Sequence, residues 1–174
     1  MPSMKLLPDG SSGHTYHWAN YGSISHEASL ALDDGDTSYV ACSANARQLT
    51  LTYANPSIAE AGIASITSVA FASSGRSTDR SNPALVDISF AAPTAGFSET
   101  CSYDAHAFSY ETILGTARTT SDGSSAWTYS DLENLEMKCT KNGTVEVRLS
   151  YLALLVVYVE AVAADNAIFF GTNF

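Results

Sequence analysis

The sequence predicts an all-β domain, a β-sandwich of jelly-roll type with one short helix and extended termini. Three observations predict it. Runs of β-branched and aromatic residues recur along the chain with a two-residue alternation. Clusters of Gly, Pro, Asn and Asp separate these runs at short intervals. A helical period replaces the alternation in one place, after Thr128. The 174 residues suit one domain with a sizeable core, and 45% hydrophobic against 15% charged residues is the reverse of a disordered balance. So low a charge fraction leaves Ser, Thr, Asn, Gly and Ala to cover the surface, as in β-rich proteins that pack side by side in an assembly.

Residues 1–13 carry Pro8, Asp9-Gly10 and Ser11-Ser12-Gly13 and read as an irregular N-terminal arm. The sandwich domain then covers 14–162, and 163–174 form a C-terminal arm. A short strand is expected at 14–18. A long loop follows at 19–36, where Gly22 and Asp33-Asp34-Gly35-Asp36 sit among polar groups. Residues 37–43 (Thr-Ser-Tyr-Val-Ala-Cys-Ser) form the next strand. Residues 47–53 alternate strictly, with Leu49, Leu51 and Tyr53 on one face, until Asn55-Pro56 stops them. The run 66–72 is mostly apolar, whereas 73–83, with Gly75, Asp79, Asn82 and Pro83, reads as a loop. In 84–91 the core face falls to Val86, Ile88 and Phe90. Two more aromatic and β-branched runs follow at 97–103 and 107–113.

From Thr128 to Met137 the apolar residues are Leu132, Leu135 and Met137, behind two overlapping capping boxes, Thr128…Asp131 and Ser130…Glu133. A capping box lets hydroxyl and acid satisfy the free amide donors of a helix start. A helix of roughly two turns is expected here. Asn142-Gly143 suits the positive φ of both central residues of a type I′ turn, and predicts a hairpin from 138–141 into a strand starting at Thr144. From Val145 to Tyr151 the apolar side alternates with Glu146, Arg148 and Ser150, while from Leu152 to Val159 both faces are apolar. A run from 144 to 162 is long for one strand, so a bulge or bend is expected between Ser150 and Ala153.

Charge narrows the partners. The 18 acidic and 8 basic side chains give a net charge of −10, which repels phosphate backbones and anionic membrane surfaces. No nucleic-acid or membrane contact is therefore expected. The richest apolar stretch, 149–159, is too short to span a bilayer. The N-terminus has no apolar core or cleavage site of a secretory signal. Three cysteines, Cys42, Cys101 and Cys139, are an odd number without zinc or redox spacing, and read as small buried hydrophobes.

No cofactor is expected. His14 and His17 would lie on opposite faces of a strand, and the Asp33–Asp36 cluster lacks the full alternating acidic loop of a Ca²⁺ site. No enzyme is expected either. Glu27, Asp87, Glu99, Asp104, Glu111 and Glu146 show no spacing that singles out a hydrolytic pair. Ser43, Ser73 and Ser74 lie outside any Gly-x-Ser-x-Gly elbow, and a Gly-rich phosphate loop is missing. Trp18, Trp127 and the tyrosines read as core or interface rather than a sugar platform.

Residues 126–137 (Ala-Trp-Thr-Tyr-Ser-Asp-Leu-Glu-Asn-Leu-Glu-Met), then Val147-Arg-Leu-Ser-Tyr and the closing Val157-Tyr-Val-Glu160, carry a family resemblance. So do Leu7-Pro-Asp-Gly10, His17-Trp18 and Asp33-Asp-Gly-Asp-Thr-Ser-Tyr39 near the start. Together they resemble tailed-bacteriophage virion proteins, in which a Trp-Thr, a short Asp-Leu-Asn-Ala-Leu-Glu-like helix and a closing Val-Tyr-Val-Glu strand recur. The resemblance covers about residues 6–160 in the same order. It implies a virion structural protein with a β-sandwich domain, made in the host cytoplasm.

The expected function is decoration or cementing of a phage capsid, through contacts with virion proteins such as the major capsid protein and with further copies of itself. A tail, fibre or receptor-binding module is the alternative within a particle. A non-viral carbohydrate-binding β-domain is the alternative outside one. The expected contact residues lie in the two arms: Leu6 and Leu7 at the start, and Ile168, Phe169, Phe170 and Phe174 at the end. Each large apolar side chain left in water forfeits about 1.5–3 kcal/mol that burial would contribute.

Overall fold

A computed structural model describes residues 1–12, 18–22, 25–32, 37–92, 97–105 and 109–162. Two antiparallel sheets form a β-sandwich. Sheet A runs in the order β3 (Ala19–Tyr21), β4 (Tyr39–Cys42), β11 (Val147–Glu160), β6 (Ile63–Ser77) and β9 (Glu111–Leu114), with β1 (Ser3–Leu6) also paired to β11. Sheet B runs β2 (Pro8–Ser12), β5 (Gln48–Tyr53), β10 (Glu136–Asn142), β7 (Ala84–Ala92) and β8 (Ser98–Tyr103). The chain changes sheet at most connections, in the jelly-roll manner; β3 to β4 and β7 to β8 stay within one sheet.

The core lies between the sheets. Leu49, Leu51 and Tyr53 of β5, and Val86, Ile88 and Phe90 of β7, are buried as their alternation requires. Leu152, Leu154 and Val156 of β11 meet them from sheet A. The bulge in β11 falls at Ser150, where the register against β6 shifts between Leu149 and Tyr151. Trp18 and Trp127 are both buried, their ring N–H groups donating to the Arg47 and Arg118 carbonyls. Cys42, Cys101 and Cys139 are free and buried, and burial pushes the Cys101 thiol up to about 11. They pack as small hydrophobes.

Several elements differ from the sequence reading. The N-terminal arm is not irregular: β1 pairs with β11, and β2 with β5. Pro8 and Gly10 misled because β2 is an edge strand, which needs backbone partners on one side alone. The expected loop at 19–36 contains β3 and a helix α1 (His26–Leu32), so the described residues hold two short α-helices rather than one, besides a 3-10 turn at Glu60–Gly62. At seven residues α1 is too short to display a period, yet Leu30 is fully buried as it packs on β2, β4 and β11. The expected loop at 73–83 is strand as far as Ser77. Its Ser73 is buried and shares a 2.7 Å hydrogen bond with the Tyr103 hydroxyl, while Gly75 lies so close to Tyr103 and Leu149 that a Cβ would stand 2.7 Å from either.

The helix α2 (Tyr129–Glu133) is one turn rather than two, because Met137 already belongs to β10. Thr128 is the N-cap: its hydroxyl accepts from the Asp131 amide, and the Asp131 carboxylate accepts from the Thr128 amide. The Asn142-Gly143 hairpin does not form. β10 and β11 lie in different sheets, so this link crosses the sandwich. Gly143 has φ +70°, but Asn142 ends the strand without positive φ, so the type I′ requirement is half met. The strand at 14–18 lies outside the described residues, except for Trp18.

Lys141 has no exposed surface and projects to the inner side of β10, where its ammonium donates to the carbonyls of Asn142 and Gly143. Removal from water depresses its pKa, offset in part by the nearby Cys42. Between the lowered folded value and the ordinary 10.5, the unfolded chain holds a proton that the folded chain releases. Stability therefore rises with pH across that window. We expect urea titrations to show wild type gaining on Lys141→Met as the pH approaches 10.5, and an unchanging difference would remove Lys141 from the pH dependence. Leu135 is 2% exposed in the link from α2 to β10. Leu135→Ala should cost about 2–5 kcal/mol in the same titration at neutral pH.

Candidate protein-binding face

Strand alternation decides which side chains leave the sandwich. Because Leu152, Leu154 and Val156 of β11 face the core, Tyr151, Ala153, Leu155 and Val157 face outward. Opposite them on β6 stand Ser74, Ala72, Ala70 and Ser68. Tyr151, Ala153 and Ala72 form a second buried cluster, with Leu7 and Leu155 packed against it. Leu114, paired with Ala72, continues the strip and is 66% exposed. The outer face of sheet A is thus apolar along its middle, where Tyr151, Ala153 and Ala72 are already buried and Leu114 alone of the strip is largely exposed.

Toward the other end of that face a row of rings and guanidinium groups crosses the strands. Tyr21 of β3 stacks on Tyr39 of β4, with centroids 4.6 Å apart and planes 15° apart. Arg148 of β11 lies over the Tyr39 ring at 4.8 Å. It pairs in register with Arg76 of β6, which lies over the Tyr110 ring at 5.5 Å. The Arg148 Nε also donates to Glu146 Oε1 at 3.2 Å. Partial burial opposes the Arg148 charge, but the Glu146 carboxylate, with Tyr39 and Tyr110, outweighs it and holds the guanidinium above its ordinary pKa. Lys5 adds a third cation over the Tyr151 ring at 5.1 Å.

The outer face of sheet B differs. Thr50, Thr52, Thr140, Ser89 and Thr100 project from it beside Asp9, Asp87, Glu136 and Lys138. Thr52 donates to Asp9 at 3.0 Å and Thr100 to Asp87 at 2.5 Å. A shallow groove of about 420 Å³ runs past Asp87, Phe97, Lys138 and Thr140. A smaller cleft of about 220 Å³ lies under Arg118, whose guanidinium stacks 3.7 Å from the Phe97 centroid. Asp122 lines that cleft, but its carboxylate already accepts from Ser124 and Ser125, which hold it well below the usual carboxylate range.

Of the expected contact residues, Leu6 is placed in this chain's own core, 2% exposed and paired with Leu154. Its alternation with Lys5 in a true strand turns it inward, so the expectation of a docking contact there is corrected. Leu7 is half-buried beside the outer cluster of sheet A. Ile168, Phe169, Phe170 and Phe174 lie outside the described residues, as do His14, His17 and Asp33–Asp36. Among the described residues, no group of His, Cys, Asp and Glu is placed to hold a metal ion. The Tyr–Arg row escaped the sequence reading because its members come from distant segments, and Arg76 sat in a stretch read as loop. The alternation of Arg148 with Val147 and Leu149 was its one visible sign.

No family model and no curated protein matches this chain. Among solved structures it is similar to a family 29 carbohydrate-binding module from Piromyces equi, at TM-score 0.40 and 8% identity over 89% of this chain and 91% of that one. It is also similar to a CBM4 structure, at TM-score 0.34 and 10% identity over 71% of this chain and 75% of the other. Neither likeness bears on function.

Tyr21 is 46% exposed and rests on one ring, so it contributes little to the fold. Tyr21→Ala should cost about 0.5–1.5 kcal/mol, the worth of a ring pair. A loss above that range in chemical denaturation would show that the row is a structural element first.

Proposed function

We propose that this protein is a non-enzymatic structural component of a tailed-phage particle, decorating or cementing the capsid through protein–protein contacts. The contrast between the two outer faces carries the reading. Sheet B turns hydroxyl and carboxylate groups to solvent, whereas sheet A leaves Leu114 and Tyr21 exposed beside the Arg76–Arg148 pair. Tyr and Arg are among the residues that most often anchor protein interfaces, and exposed apolar side chains such as Leu114 gain by being covered. The residue pattern over 126–160 supports the virion setting. Ile168, Phe169, Phe170 and Phe174 are proposed as additional partner contacts in the same assembly.

The experiment adds purified protein to capsids made without it and measures bound copies by quantitative gel electrophoresis. Wild type should saturate at a fixed stoichiometry. A Tyr21→Ala, Arg148→Ala double variant should bind roughly tenfold or more weakly, as loss of an interface anchor does. Deleting residues 165–174 should also lower occupancy. Absence of wild-type binding to capsids would overturn the capsid reading, and saturable binding to isolated tails would transfer the protein there.

A further inference from the structure

We propose that copies of this chain stack head to tail, the outer face of sheet A in one copy seated on the outer face of sheet B in the next. The proposal deepens the assembly reading by naming a second copy as the occupant of the sheet A face.

Charge is the first support. The chain carries −10 overall, yet three of its eight basic side chains, Lys5, Arg76 and Arg148, project from sheet A, with Glu146 the acid beside them. Sheet B presents the inverse set: Asp9, Asp87 and Glu136, with Lys138 the base among them. The outward-facing charges therefore have opposite sign on the two sides of one sandwich. Apolar surface is the second support. Leu114 and Tyr21 stay exposed on the two edge strands of sheet A, while a groove beside Asp87, Lys138 and Thr140 opens on sheet B.

Geometry then sets the mode of growth. A sandwich holds its two outer faces on opposite sides, so joining A to B leaves a free A face at one end and a free B face at the other. Such a contact is heterologous and propagates until it closes or is capped by a different protein. Pairing A with A would oppose Arg76 and Arg148 to their own copies, and pairing B with B would oppose carboxylates. Like charges across an interface disfavour both.

Sedimentation velocity of the full chain tests the proposal. At low salt the mean mass should rise with protein concentration. At about 1 M salt, where the Debye length falls to about 3 Å, it should return toward the monomer. Arg76→Glu with Arg148→Glu on face A should abolish association, and so should Asp87→Lys with Glu136→Lys on face B. Mixed together, the two variants should associate again, because an intact A face meets an intact B face. Leu114→Lys, which leaves the arginines in place, should weaken association independently, with circular dichroism confirming that each variant is folded. Monomeric wild type at every concentration and salt, or a silent mixture, overturns the stacking. Should monomeric wild type still saturate capsids, stacking alone fails; should it stack yet leave capsids bare, the capsid reading alone fails.

Discussion

β11 and β6 pair antiparallel from Val147 against Ser77 to Glu160 against Ile63. On the inner side this ladder supplies Leu149, Leu152, Leu154 and Val156 to the core, together with Val69 and Phe71. On the outer side it supplies Tyr151, Ala153 and Ala72. The other edge of β11 holds β4 near its start and β1 near its end, so the sheet is organised around one strand. That strand can serve both faces because it is apolar on both, and because the bulge at Ser150 separates the segment paired with β4 from the segment paired with β1.

Legibility in the sequence followed how strongly each element's own chemistry constrained it. β5 and β7 alternate because one face is buried and the other is wet, and their core residues could be named. The capping box at Thr128 and the bulge in β11 were readable for the same reason: each solves a local problem with local residues. β1, β2 and α1 were not readable, since each is short and owes its existence to a distant partner. Asn142-Gly143 shows the opposite failure. Its dipeptide chemistry favours a tight turn, but the core needed β10 and β11 in different sheets, and tertiary packing decided. The candidate face was least legible of all, since Tyr21, Tyr39, Arg76, Tyr110 and Arg148 become neighbours through sheet pairing alone.

The placement of the few cations follows a simple electrostatic logic. A chain at −10 repels its own copies at long range. Arg76 and Arg148 give one face an attractive patch within that field, while the rings beneath them supply apolar contact at little entropic cost. Arg148 is further steadied by Glu146, so its direction is fixed within the folded chain.

The pairing of β1 with β11 has a consequence for how the molecule comes into being. Ser3 lies opposite Val157, about 150 residues away along the chain. Closing so long a loop is entropically slow, and pairing between distant strands delays folding. During synthesis β1 must wait for β11, so β1, β4 and β6 keep unpaired edges until β11 has been made. Nascent chains with open edges are prone to pair with one another. Mutual repulsion between unfinished, strongly acidic chains opposes that pairing through the interval, so the charge that shapes the finished surface also guards the unfinished one.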